Sequence, residues 1–222
     1  MWSRLIIACM LMITACTSSE KSPFEQATGI ESEHLEKVQP SHPLIIQLMN
    51  KSKENPQVRY SYSLLPNLNT QRITVKGANI KMELISGGHV IPPYSAIYLN
   101  RKTQEAFGIC EERGEIECDP LGKVTSMDFT EVNPITTHDW LAEIPATAQV
   151  IGTESFNREE TTVITFQQKG KQVKMWIHDY YHLPVKVELS HEENEDAIID
   201  AVYLYNILQS GKIKTAEVTP SK

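Results

Sequence analysis

The sequence predicts an α+β domain in which a long, curved antiparallel β-sheet wraps around one or two helices, and three observations predict it. Apolar residues recur at helical spacing in only two short stretches, around Leu44 to Met49 and Trp140 to Ile144. From Val58 onward they otherwise alternate with polar residues, the period of a sheet with one buried face. Gly77, Gly87-Gly88, Pro92-Pro93 and Gly170 break the alternating runs with turns.

The chain opens with Arg4 as a lone early positive charge, followed by the apolar run Leu5 to Ala15. That run is too short to span a hydrocarbon core of about 30 Å and reads as a cleaved export signal. Its ending, Ile13-Thr14-Ala15-Cys16, resembles the lipobox of bacterial lipoprotein signal peptides. The resemblance implies that Cys16 is acylated, with palmitate-type chains, and becomes the first residue of the mature protein. Each buried methylene adds about 0.8 kcal/mol, so several chains hold a protein on a membrane permanently. An Asp directly after the cysteine marks inner-membrane retention in that pattern. Here the position is Thr17, which points to the outer membrane if the cell has one. The expected organisation is a signal peptide over 1–15, a lipidated and flexible tether over 16–40, one domain over 41–209 and a frayed tail over 210–222.

Without Arg4 the chain carries 20 basic against 28 acidic residues, a charge of −8. Such a surface argues against nucleic acid and against docking on anionic head groups. A hydrophobic content of 41% with three Trp and eight Tyr is globular, and no second long apolar run follows the signal. Cys9 leaves with the signal and Cys16 is lipidated, so Cys110 and Cys118 remain. They flank a short segment with an Arg113-Gly114 step that can turn a hairpin, and are expected to pair as a disulfide. Two thiols alone supply half a tetrahedral metal shell, so no metal is expected there.

Pro43 opens the first helix, with Leu44, Ile45, Leu48 and Met49 on one side, and Asn55-Pro56 ends it. Strands are expected over 58–65, 73–85 with a break at Gly77, 94–99, and 106–110 with 116–118 as the stapled hairpin. The stretch 120–130 reads as either loop or short helix. A second helix is expected within 136–145, with Thr137 as its cap and Trp140, Leu141 and Ile144 facing inward. Strands then follow at 149–156, 161–168, 171–178, 184–189 and 197–207. Val173, Met175 and Ile177 share one face opposite Lys174 and Trp176; Val185, Val187 and Leu189 share a face opposite Lys186 and Glu188.

No catalytic constellation stands out: the chain has no Gly-x-Ser-x-Gly elbow, phosphate loop or dinucleotide loop, and no cofactor is expected. The densest polar cluster is His178-Asp179-Tyr180-Tyr181-His182. Two histidines four apart bind metal when they share a helix face, but Pro184 and the flanking alternation place them at a strand end and turn. A metal-dependent hydrolase built on His178, Asp179 and His182 is the weakest of three readings. The other two are an apolar-ligand carrier and a non-enzymatic interaction or sensing scaffold with a filled cavity.

The segment from Val173 through Pro184 to Glu188 resembles the Trp-Ile-Asp, short turn, Gly-Leu-Pro, Lys-x-Glu signature of LolA/LolB-like lipoprotein-sorting domains. His182 stands where that pattern prefers Gly, and one extra residue separates Ile177 from Asp179. The strands 149–156 and 161–168, with Arg158 between them, have a matching flavour. The resemblance implies a half-barrel covered by helices around an apolar cavity for lipid or lipoprotein acyl chains, or a fold that binds an envelope protein. Candidate cavity residues are Leu48, Ile80, Met82, Leu84, Trp140, Val173, Met175 and Ile177, taken from the inward strand sets and the two helices.

Overall fold

The computed structural model describes residues 42–66, 70–85, 94–112, 116–193 and 196–220. The signal, Cys16 and the tether lie outside the described residues. Eleven strands form one open antiparallel sheet in the order β6-β5-β4-β3-β2-β1-β11-β10-β9-β8-β7. In chain order they are β1 (Gln57–Leu65), β2 (Thr70–Lys76), β3 (Asn79–Leu84), β4 (Ala96–Asn100), β5 (Glu105–Ile109) and β6 (Val124–Met127). The second set is β7 (Gln149–Phe156), β8 (Glu159–Gln168), β9 (Lys171–His178), β10 (Pro184–Glu193) and β11 (Asp196–Ser210). Each set is a meander, and the pairing of β1 with β11, from Val58↔Ser210 to Leu65↔Val202, joins them at the centre. This is the expected α+β class, with a sheet consistent with a half-barrel.

The helices are α1 (Pro43–Ser52), α2 (Phe129–Val132) and α3 (Thr137–Ala142). Pro43 sits at the start of α1, where its missing N–H leaves nothing unsatisfied, and His42 Nδ1 accepts from Leu44 N at 3.3 Å. Ile45 and Leu48 are buried, with Leu44 and Met49 packed beside them, as the helical spacing requires. Burying Trp140, Leu141 and Ile144, all 4–5% exposed, adds about 1.5–3 kcal/mol each on the same inner face.

Several expectations are corrected. The cap of α3 is Thr136, not Thr137: Thr136 Oγ1 accepts from Asp139 N, and the Asp139 carboxylate returns a bond to Thr136 N at 2.7 Å. Residues 116–118 are not a strand. β5 pairs directly with β6, so the disulfide loop is an excursion between them, and the ambiguous 120–130 stretch holds β6 and the start of α2. Val185 does not share a face with Val187, because the register shift between Pro184 and Lys186 leaves it unpaired as a bulge. It packs on the outer face with Val163 and Trp176. As far as Pro220, the last described residue, the tail beyond Ser210 is not frayed. Lys76 Nζ donates to Ile213 O at 2.7 Å, Ile213 N donates to Gln57 Oε1 at 2.9 Å, and Arg59 pairs with Glu217. Ile213 and Val218 are buried.

Candidate functional site

The inner face of the sheet is the surface to which the cavity residues were assigned. Ile80, Val173, Met175 and Ile177 have no exposed surface, and Leu48, Met82 and Trp140 are at most 5% exposed. These seven belong to one apolar cluster that also takes in Tyr60, Ile73, Ile164 and Val187. Leu84 is partly buried and lies outside that cluster. The alternation therefore brings together the side chains it named, but as a packed layer.

Four tyrosines from β1 and β11 stand at the middle of this layer. Tyr60 meets Tyr205 edge-on at 5.3 Å, Tyr62 lies 5.5 Å from Tyr205, and Trp140 packs edge-on against Tyr203 at 5.1 Å. Burial pushes the Tyr60 and Tyr205 hydroxyls well above their ordinary range, so both stay protonated. Trp140 Nε1 donates to Tyr205 Oη at 2.8 Å, and that hydroxyl donates to Ile135 O at 3.1 Å. The helix α3 is thus tied to the sheet centre by a two-bond relay as well as by its apolar side chains.

Arg101, in the turn after β4, supplies the second tie. Its guanidinium bonds both carboxylate oxygens of Asp139 at 2.7 and 2.8 Å, Asn133 Oδ1 at 2.9 Å and Pro134 O at 2.7 Å. Burial works against ionised Asp139, but Arg101 and the two Thr136 bonds outweigh it and hold its pKa low. Nothing in the sequence marked Arg101; its role needs the turn brought beside α3.

A third set of ties joins the β9–β10 turn to the ends of both helices. His178 is 7% exposed, and its Nδ1 accepts from Tyr180 N at 3.0 Å and more weakly from Tyr181 N at 3.5 Å. Tyr181 O accepts from Asn55 Nδ2 at 3.1 Å, and Asn55 O lies 2.9 Å from His138 Nε2. Asp179 accepts from Thr162 Oγ1 at 2.9 Å. His182 has a φ of +56°, the left-handed conformation that glycine adopts most readily. His178, Asp179 and His182 are thus occupied in building a turn, and among the described residues no group of three metal-ligating side chains assembles.

Cys110 and Cys118 are disulfide-bonded, with Cα atoms 5.6 Å apart. The bond anchors Glu111, which accepts from Lys81 Nζ at 2.8 Å and from the Tyr98 hydroxyl on the outer face. Burial and Glu111 together push Tyr98 up to about 12. A pocket of about 350 Å³ lies beside the disulfide, lined by Glu111, Glu112, Glu117 and Asp119 among others. A second of about 650 Å³ lies between His42-Pro43 and the residues Ala146 to Val150. Neither includes any of the eight candidate cavity residues.

No family model and no curated protein matches the sequence. Among solved structures the chain is similar to MucB, with a TM-score of 0.49 and 9% identity over 82% of this chain and 65% of that one. It spans less than two thirds of the MucB chains it matches, which have also been solved in complex with MucA of Pseudomonas aeruginosa. It is also similar to the Mycobacterium tuberculosis lipoprotein LppX, with a TM-score of 0.41 and 12% identity over 79% of this chain and 99% of that one. An outer membrane lipoprotein-sorting protein domain from Vibrio parahaemolyticus gives 0.36 and 9% over 79% and 94%.

Proposed function

We propose that this chain is a non-enzymatic binding protein of the cell envelope, lipid-anchored through Cys16 on the extracytoplasmic side, that engages a protein partner. In this reading residues 1–15 are the cleaved signal and 16–40 the tether. The observation that supports a protein partner over stored lipid is the packing of the inner face. Seven of the eight positions assigned to a cavity are at most 5% exposed and fill the space with their own side chains. Admitting an acyl chain requires displacing Trp140, Leu141 and Ile144, whose burial already stabilises the layer.

A second reading rests on how α3 is held. Its ties to Arg101 are polar and only part-buried, so they can be exchanged for water more readily than a buried apolar contact, whereas the Trp140–Tyr205 bond is buried. An apolar-ligand carrier in its closed, empty state has this arrangement. Native mass spectrometry of the chain from Ser18, purified gently and compared before and after organic extraction, separates the two. The interaction module gives a bare polypeptide, two hydrogens light for the disulfide, that takes up no added fatty acid. A lipid-mass adduct removed by extraction overturns that reading in favour of the carrier. For the anchor, Cys16→Ser is expected to move the protein into the soluble fraction, and membrane retention of that variant contradicts the lipidation.

A further inference from the structure

Two histidines, His178 at the end of β9 and His138 in α3, each depend on being neutral, for different atomic reasons. Because a carbonyl only accepts, His138 Nε2 must carry the proton it gives to Asn55 O. Its Nδ1 is buried with no hydrogen-bond partner, so a second proton there goes unsatisfied. His178 has the opposite tautomeric demand on Nδ1, which must be bare to accept from the amides of Tyr180 and Tyr181. A proton on that nitrogen faces two N–H donors. The two rings are joined through one residue: Asn55, just beyond α1, donates its side-chain amide to Tyr181 O in the turn and presents its own carbonyl to His138 in α3.

We propose that His178, Asn55 and His138 form an acid-released latch that holds the β9–β10 turn, the end of α1 and helix α3 together over the inner face. The charged and titratable groups around it do not reverse the effect. His178 faces Glu159 from β8, with Nε2 3.9 Å from its carboxylate, and the neighbouring Asp179. His138 faces Asp139 and Arg101, which oppose each other. His182, in the same turn, faces Lys51 and Glu54 from the end of α1, with Asp179 and His178. Burial is the leading cause at all three rings and lowers each below the ordinary imidazole value of 6.5. A lowered native pKa means that the latch is fully closed above 6.5. It loosens as the pH falls below that value, by up to tenfold per pH unit for each ring. The loosening levels off beneath the native values. His182 in its left-handed conformation adds strain that the closed turn holds and the open turn relieves.

The inference is independent of what the inner face binds, because its readout is amide protection in the unliganded full-length protein. Hydrogen exchange, corrected for intrinsic rates, is expected to show at least tenfold loss of protection at Tyr180, His182 and the Asn55 region between pH 7.5 and pH 5, with β8 unchanged. In His178→Asn the side-chain oxygen replaces Nδ1 as acceptor, and in His138→Gln the amide nitrogen replaces Nε2 as donor. The double variant is expected to keep its protection and lose all of the pH dependence except the share that His182 contributes. Equal pH dependence in wild type and variant, or none in either, overturns the proposal. If the variants do not fold, NMR titration of the wild-type rings decides. Midpoints below 6.5 that the Tyr180 and Tyr181 amides share support the latch, and ordinary midpoints with unmoved amides refute it.

Discussion

On the inner face Val173, Met175 and Ile177 of β9 are fully buried among aliphatic and aromatic side chains. On the outer face the residues between them meet charges. Trp176 lies under Lys186 at 4.1 Å and Lys174 at 4.5 Å, and its Nε1 donates to Glu154 at 2.7 Å. The indole is therefore covered by two lysines whose ammonium groups also pair with Glu154 and Glu188. Toward the β6 edge Lys81, Tyr98 and Glu111 repeat the device around the disulfide. One strand thus serves two environments. Volume governs the inner one and paired charge the outer one, so equal truncations should have unequal effects.

The largest expected effect is on the inner face. Met175→Ala should lower unfolding free energy by about 2–5 kcal/mol in urea titrations, through lost transfer energy and a residual cavity. A loss below that range would mean the layer can collapse around the gap. Replacing both cysteines by serine should remove about 2.5 kcal/mol, the chain-entropy value for so short a loop. Because Glu111 adjoins Cys110, protection at Lys81 and Tyr98 should fall with it. Val173→Phe should destabilise by about 1–3 kcal/mol, since no space receives the ring. A neutral outcome would place unfilled volume beneath β9 and revive the lipid-store reading. Least is expected on the outer face, where Lys186→Ala should change stability by no more than about 1 kcal/mol, with the Trp176 fluorescence shift as the more sensitive measure.

Strand β9 was legible because its residue types obey period two, and the dry face of Val173, Met175 and Ile177 named from it is the one the helices cover. β6 was not, because Val124 is 62% exposed and an edge strand needs only β5 to pair with, leaving no apolar pattern. The one-residue error at the α3 cap arose because Thr136 and Thr137 are chemically identical. The Thr136-x-x-Asp139 spacing of a capping box was the available signal. The Val185 bulge breaks the face assignment without any change in residue type, since a register shift belongs to the strand pair. Ile213 and Val218 were missed because their burial follows no period and depends on a tail that folds back over β1 and β2.

The candidate site divides in the same way. Its residues could be named from alternation, but whether they line a void or fill one could not, because alternation reports which face is dry and carries no measure of volume. By itself the sequence determined the class of the fold, the positions of most of its strands along the chain, the opening helix and the nearness of Cys110 to Cys118. Each follows from backbone geometry acting over a few residues. The tertiary structure alone decided that β1 pairs with β11, that Arg101 holds α3, and that Asn55 links His178 to His138. Those contacts join segments far apart in the chain, and their formation depends on register and packing across the whole sheet.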